Sequence, residues 1–153
     1  MKKILAIVGG VFLVLLVAGA LFFGYGVYQG KKLDASSRAY IEQNIPAILQ
    51  TWSKDALLER AAPQLRRDLD KDPPNTDLLF KKFTELGKFQ QMDDIKGNSI
   101  TSITPDKGLI KTAHYVIQAK FDHGDAAITV NLVQAAEKWQ VVGFFVNSPK
   151  MLQ

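Results

Sequence analysis

The side chains in this sequence best suited to acid–base or metal chemistry are His114, His123 and Tyr115. Neither histidine has a second ligand or a catalytic partner at a motif spacing. His123 lies in the segment 122–125, whose Asp-His-Gly-Asp composition is typical of a hairpin turn. His114 falls on the polar side of an alternating strand pattern. We therefore expect both histidines to be solvated side chains.

Tyr115 is the possible hydrogen-bond donor inside a cavity, because alternation places it on the inward, apolar face of its strand. A catalytic site there would also need a carboxylate. The inward positions of three predicted strands, within residues 115–121, 126–132 and 139–145, contain no Asp or Glu. The pattern favours a core role for Tyr115 and a chain that is not an enzyme and needs no metal or cofactor.

Residues 1–32 form a predicted membrane anchor. The run from residue 4 to residue 28 has 25 residues and no charge. As a helix it would be about 37 Å long, against about 30 Å of bilayer hydrocarbon. Its flanks carry the amines and aromatic rings that favour the headgroup layer. These anchor residues are Lys2, Lys3, Tyr25, Tyr28, Lys31 and Lys32.

A cleaved signal peptide is the alternative interpretation, because Ala18 and Ala20 are small residues at suitable positions for cleavage. Cleavage would leave a strongly apolar tail, residues 21–28, on the mature protein. An uncleaved anchor is therefore favoured. The short N-terminal tail favours a cytoplasmic N-terminus, with residues 33–149 as a soluble domain in the periplasm of a bacterial inner membrane and residues 150–153 as a tail.

The charge distribution argues against a nucleic-acid partner. The formal net charge is +4, but four lysines that flank the apolar run account for all of it. Residues 33–153 carry 15 basic and 15 acidic side chains. A basic surface for nucleic acid is therefore not expected. The chain has no cysteine, which removes disulfides and thiolate metal sites.

The soluble part changes from a helical to a strand period after Gly87. We predict a first helix from Asp34 or Ser36 to Trp52, kinked or restarted at Pro46, and a second helix capped by Ser53. A loop at 72–75 and a third helix from Thr76 or Asp77 follow. Predicted strands then cover residues 89–95, 99–104, 109–121, 126–134 and 139–147. The fold class is α+β, a transmembrane helix followed by helices packed on a curved antiparallel, cone-like sheet.

The last strand is apolar on both faces. A turn at His123-Gly124 would oppose Tyr115 to Leu132, and continuing the pattern opposes Ile128 to Phe145. The core then includes Phe145, and the far face of the strand carries a stripe of three apolar side chains. We expect this stripe to bind a protein partner or a second copy. Its residues are Val142, Phe144 and Val146.

Four stretches carry a resemblance to a known superfamily. These are residues 52–65 with their proline-marked end, residues 86–89, and the last two hairpins at 121–126 and 138–144. They resemble membrane-anchored bacterial members of the nuclear transport factor two or ketosteroid-isomerase-like, cystatin-like cone folds. Such folds host isomerases, dehydratases, adaptors and scaffolds, so the resemblance implies an architecture but no activity.

The sequence therefore predicts a single-pass, non-enzymatic membrane protein whose extracytoplasmic domain mediates protein association. Two other functions stay open. One is a small-molecule-binding or isomerase-like cone, which requires polar groups that converge inside a cavity. The other is an exported soluble domain released by signal cleavage.

Overall fold

The structure, a computed structural model, describes residues 30–152. Most of the predicted anchor, including Lys2, Lys3, Tyr25 and Tyr28, lies outside the described residues. The chain divides into two units, with the boundary between residues 33 and 34. The α+β fold belongs to the second unit. No helix in the described range is long and apolar enough to cross a membrane.

Four helices precede the sheet, one more than the three predicted from the sequence. Ser53 caps the second of them by accepting a hydrogen bond from the Ala56 amide, and Pro63 opens the third. The predicted Ser53 cap is confirmed, whereas Pro63, expected to mark the end of the second helix, also begins a third one. The helices are α1 (residues 30–51), α2 (Lys54–Arg60), α3 (Pro63–Asp70) and α4 (Pro73–Phe83), the last followed by a 3-10 turn at Thr84–Leu86.

Two breaks expected at prolines, a helix restart at Pro46 and a loop at residues 72–75, do not occur. Helix α1 runs through Pro46 without a restart, and the Asn44 amide donates to the Tyr40 carbonyl, 3.0 Å away, instead of capping a second helix. The expected loop at 72–75 is the beginning of α4, where Asp72 caps the helix and two prolines occupy its first turn. Proline is suited to this turn because its missing N–H would have no partner there.

The sheet is a meander of four antiparallel strands in chain order, and it is not strongly curled. The first strand is continuous, although two separate strands were predicted for its sequence. Its polar composition obscured the alternation, but pairing with the next strand holds it extended. The strands are β1 (Phe89–Thr104), β2 (Gly108–Phe121), β3 (Gly124–Ala135) and β4 (Lys138–Asn147).

The β2–β3 register differs from the predicted one by two residues. The turn is Asp122-His123, so that Phe121 pairs with Gly124 and Tyr115 with Val130. A shift of two residues leaves every side chain on its expected face, because successive side chains of a strand alternate. The inward position of Tyr115 is therefore confirmed.

A β-bulge in β4 overturns the predicted register of its second half. Leu132 pairs with Val141 as expected, but the pairing then shifts at Val142. Beyond this bulge Phe144 pairs with the core residue Val130, and Val146 pairs likewise with Ile128. Because a bulge inserts one extra residue, it exchanges the two faces of the strand.

The predicted apolar stripe of Val142, Phe144 and Val146 therefore does not share one face. Phe144 and Val146 lie on the helix-facing side and are half-buried. Phe145, which the sequence register placed in the core, lies on the opposite side with 60% of its surface exposed. The prediction was wrong because alternation cannot detect a single inserted residue.

The core lies between α1 and one face of the sheet. The inner stripe of α1 carries Ile41, Ile45, Ile48 and Leu49, all fully buried. At the C-terminal end of α1, the Trp52 ring packs against Phe83 and Phe121 with centroid distances of 5.0 and 5.4 Å. The sheet contributes Ala113, Tyr115, Ile117, Ile128, Val130, Leu132 and Val141. Both tryptophans of the chain, Trp52 and Trp139, are buried in this core.

Gly97 permits the close approach of β1 to β2 beside Tyr115. A Cβ atom at this position would collide with the His114 carbonyl oxygen and lie 2.8 Å from the Tyr115 Cα. We predict that Gly97→Ala lowers the free energy of unfolding by about 1–3 kcal/mol, because the backbone of β2 would have to shift. Thermal or denaturant unfolding of the full chain in detergent measures the loss.

The neighbouring exposed residue provides the matched control. Asn98→Ala should change the free energy of unfolding by less than about 0.5 kcal/mol. Equal stability of the Gly97→Ala variant and the unchanged chain would contradict the close approach of the two strands.

Candidate functional site

The Tyr115 hydroxyl, predicted as a possible cavity donor, is bonded to helix α1. It lies 2.7 Å from the Ser37 hydroxyl and donates to the Asp34 carbonyl oxygen at 3.3 Å. Both Tyr115 and Ser37 are fully buried. The hydroxyl therefore joins the helix to the sheet and is not presented to a ligand.

Further polar contacts extend this junction across the sheet. The Asp34 carboxylate accepts from the Ser99 amide at 2.7 Å and from the Ser99 hydroxyl. On the other side, the Trp139 indole N–H donates to the Ser36 hydroxyl at 2.9 Å. We call these contacts the N-terminal junction. It consists of Asp34, Ser36 and Ser37 of α1 with Ser99, Tyr115 and Trp139 of the sheet.

Sequence reasoning identified Asp34 and Ser36 only as candidate helix caps. Helix α1 already extends from residue 30, so neither residue is needed to begin it. Their side chains bind partners 65 and 103 residues away in the chain. A helical period in the sequence depends only on local spacing, so it could not have predicted these distant partners.

The remaining titratable candidates are separate from each other. His114 is exposed, and its Nδ1 lies 2.5 Å from the Asn131 amide oxygen on the neighbouring strand. His123 is exposed in the β2–β3 turn, with its Nδ1 3.1 Å from the Glu85 carbonyl oxygen.

Burial raises the pKa of the Tyr40 hydroxyl, although Arg60 opposes this shift, so Tyr40 is protonated at neutral pH. Within residues 30–152, no three acidic or histidine side chains cluster as metal ligands would.

The face of the sheet opposite the core, which we call the outer sheet face, has no buried side chain. Its apolar residues extend across all four strands. Near its centre lies an open depression of about 250 Å³ between His114, Asn131 and Val142. The apolar side chains of this face are Ile100, Ile110, Val116, Val133, Val142 and Phe145.

The charges near one margin of the outer sheet face are paired. The Lys96 amine lies 3.3 Å from the Asp94 carboxylate, and the Lys120 amine lies 3.5 Å from the Asp93 carboxylate. Such exposed pairs contribute little to stability, but they leave that margin without an excess of either sign. Electrostatics therefore do not select a strongly charged partner at this margin.

Phe145 is the residue of this face that sequence reasoning missed. The available signal was Gly143, because a glycine inside a strand often marks a bulge. In the structure Gly143 pairs with Asn131 directly after the bulge, and a Cβ atom there would lie 2.8 Å from the Asn131 amide nitrogen.

The Tyr115–Ser37 contact can be tested by a double-mutant cycle. Tyr115→Phe and Ser37→Ala should each lower the free energy of unfolding by about 0.5–1.5 kcal/mol, because each removes a buried hydrogen bond while the remaining hydroxyl keeps the Asp34 carbonyl oxygen as an acceptor. The double variant should cost clearly less than the sum, since both substitutions remove the same hydrogen bond. Denaturant unfolding in detergent measures all three values, and strict additivity would contradict the contact.

Comparison with known proteins finds no family for this chain. No protein-family model, no curated protein and no solved structure matches the chain. What stands of the cone-fold resemblance is the α+β arrangement, in which helices are followed by a four-stranded antiparallel sheet.

Proposed function

We propose that this chain is a single-pass, membrane-anchored, non-enzymatic protein whose extracytoplasmic α+β domain associates with a second copy through the outer sheet face. The proposed location is a bacterial inner membrane, with the domain in the periplasm. The observation that carries the association is the uncovered outer sheet face, on which the Phe145 side chain is 60% exposed.

The anchor is supported by the sequence. The uncharged run of 25 residues is long enough to span a bilayer as a helix. Tyr25, Tyr28, Lys31 and Lys32 follow in the order expected at an interfacial end. The lysines at 31 and 32 are exposed within α1, which leaves their amines free to meet headgroups.

The size of the outer sheet face supports a second copy as its partner. Four strands about 4.8 Å apart and about ten residues long cover roughly 600 Å². Two such faces would bury about 1,200 Å², at the lower limit of stable specific interfaces. Twisted sheets pack well face to face, and confinement to one membrane raises the effective concentration of both copies. The paired charges at the margin do not repel a second identical face.

An isomerase-like or small-molecule-binding cone has less support. The Tyr115 hydroxyl is bonded to Ser37 and to the Asp34 carbonyl, and the inward positions of β2, β3 and β4 hold no carboxylate. A depression of about 380 Å³ lies at the beginning of α4, lined by Asp72, Asn75, Thr76 and Leu79, but it is open and shares no residue with the Tyr115 site. That the domain is related to the cone folds is also part of this proposal, but such a relation would not identify a ligand.

We predict that the chain stays in the membrane with Lys2 still attached. Removal of the first 20 residues would expose the apolar segment 21–28, so retention is the more stable outcome. Alkaline carbonate extraction followed by intact-mass measurement tests this. A released product that begins at Leu21 would instead support the exported soluble domain.

We predict that Phe145→Asp reduces self-association and leaves the domain folded, because a charge placed in a packed sheet interface must be desolvated. The chain has no cysteine, so Thr129→Cys, beside Phe145 on the outer sheet face, introduces a unique crosslinking site. The measured quantity is the yield of crosslinked dimer in native membranes, with and without Phe145→Asp.

Leu78→Asp is the matched control, because Leu78 on α4 is 64% exposed and lies away from the sheet. It should leave the crosslinking yield unchanged. Equal yields with and without Phe145→Asp would contradict the proposed interface. If the Thr129→Cys chain with Phe145 intact gives no crosslinked dimer, the proposed self-association is wrong, and a different protein must be sought for this face.

A further inference from the structure

The β1–β2 hairpin carries an exposed apolar pair close to its tip. Ile103 pairs with Leu109 across the two strands, and the side chains are 81% and 60% exposed. Both side chains lie on the helix-facing side of the sheet. Four residues further along β2, at Ala113, this same side is buried. The tip therefore projects beyond the part of the sheet that the helices cover.

The direction of this projection follows from the contacts of α1. Asp34, at the N-terminal end of the second unit, binds Ser99, and Arg38 donates to the Ile95 carbonyl at 3.0 Å. Trp52, at the other end of α1, packs against Phe121. Helix α1 thus runs antiparallel to β1. The hairpin continues past Asp34 by about 13 Å, the length of the four residues from Ser99 to Ile103.

The chain leaves the domain at this same end. Five residues lie between Tyr28, the last residue of the uncharged run, and Asp34, so the two Cα atoms are six residue steps apart. Even a fully extended segment of this length spans only about 20 Å. Covalent geometry alone therefore keeps the exit point of the domain close to the end of the proposed anchor. The exposed pair Ile103 and Leu109 belongs to that end of the domain.

We propose that the tip of the β1–β2 hairpin inserts into the interfacial layer of the lipid bilayer and makes a second membrane contact. This inference rests on the proposed membrane anchor. The pair Ile103 and Leu109 would enter the acyl boundary, and the amines of Lys107 and Lys111 would reach lipid phosphates. Pro105, in the turn between the strands, has no backbone N–H to desolvate.

A lipid surface fits this tip better than a protein partner. Two side chains at the end of a two-stranded ribbon offer much less area than a stable protein interface buries. A bilayer needs no complementary pocket, and the anchor already brings it within reach. Insertion would also fix the tilt of the domain relative to the bilayer, which a single covalent connection cannot do.

The absence of cysteine allows a direct test on the full chain. Leu109→Cys is labelled with an environment-sensitive fluorophore and reconstituted into vesicles of phosphatidylcholine and phosphatidylglycerol. Spin-labelled lipids with a shallow nitroxide act as quenchers. We expect a blue-shifted emission and strong quenching at position 109. Leu78→Cys, of similar exposure in α4, is the matched control and should report water with little quenching.

The outcomes separate this inference from the proposed anchor. If the labelled chain does not float with the vesicles, the anchor fails and the inference falls with it. If it floats but the probe at position 109 reports water, the anchor stands and hairpin insertion is wrong. A blue shift without lipid quenching would show that protein, most simply a second copy, covers the tip, and would also overturn the inference.

Discussion

The fold depends on the packing of one stripe of helix α1 against one face of the sheet. Its four fully buried aliphatic side chains contribute about 1.5–3 kcal/mol each by burial, whereas each hydrogen bond of the N-terminal junction adds about 0.5–1.5 kcal/mol. Burial therefore drives the association of helix and sheet. The junction has a different effect, because its directional bonds from Asp34, Ser36 and Ser37 fix where along the sheet the helix lies. A purely apolar contact would tolerate sliding.

Much of this architecture could be predicted from the sequence, because one buried face imposes a period on each element. The faces of β2 and β3 follow from alternation alone, and the two-residue error in their register did not matter. Strand β4 shows the limit of this reasoning. Regular alternation from Trp139 and Val141 places Phe145 inward, and because the strand is apolar on both sides, its composition does not reveal that Phe144 is the inward residue. The bulge at Val142 makes that choice, and its local sign in the sequence is a single glycine, Gly143, inside the strand.

The interaction surface on the last strand therefore stays a prediction, and the structure changes the aromatic residue that it exposes. The sequence indicated that the far face of the last strand is apolar, and this face is uncovered in the structure. The exposed ring belongs to Phe145 rather than to Phe144. The two proposed surfaces are compatible, because Ile103 and Leu109 lie on the helix-facing side and Phe145 on the outer side of the same sheet. One copy could thus contact a second copy and the bilayer at once.

The N-terminal junction also determines the order in which the chain can fold during synthesis. Ser37 bonds to Tyr115, 78 residues later, and Ser36 bonds to Trp139, 103 residues later. At roughly 5–20 residues per second, the ribosome needs about 4–16 s to make the first of these partners. For that time the apolar stripe of α1 has no sheet to cover it. The meander forms from adjacent hairpins, so the nascent helix is the part of the domain that depends most on chaperones or on prompt completion of the chain.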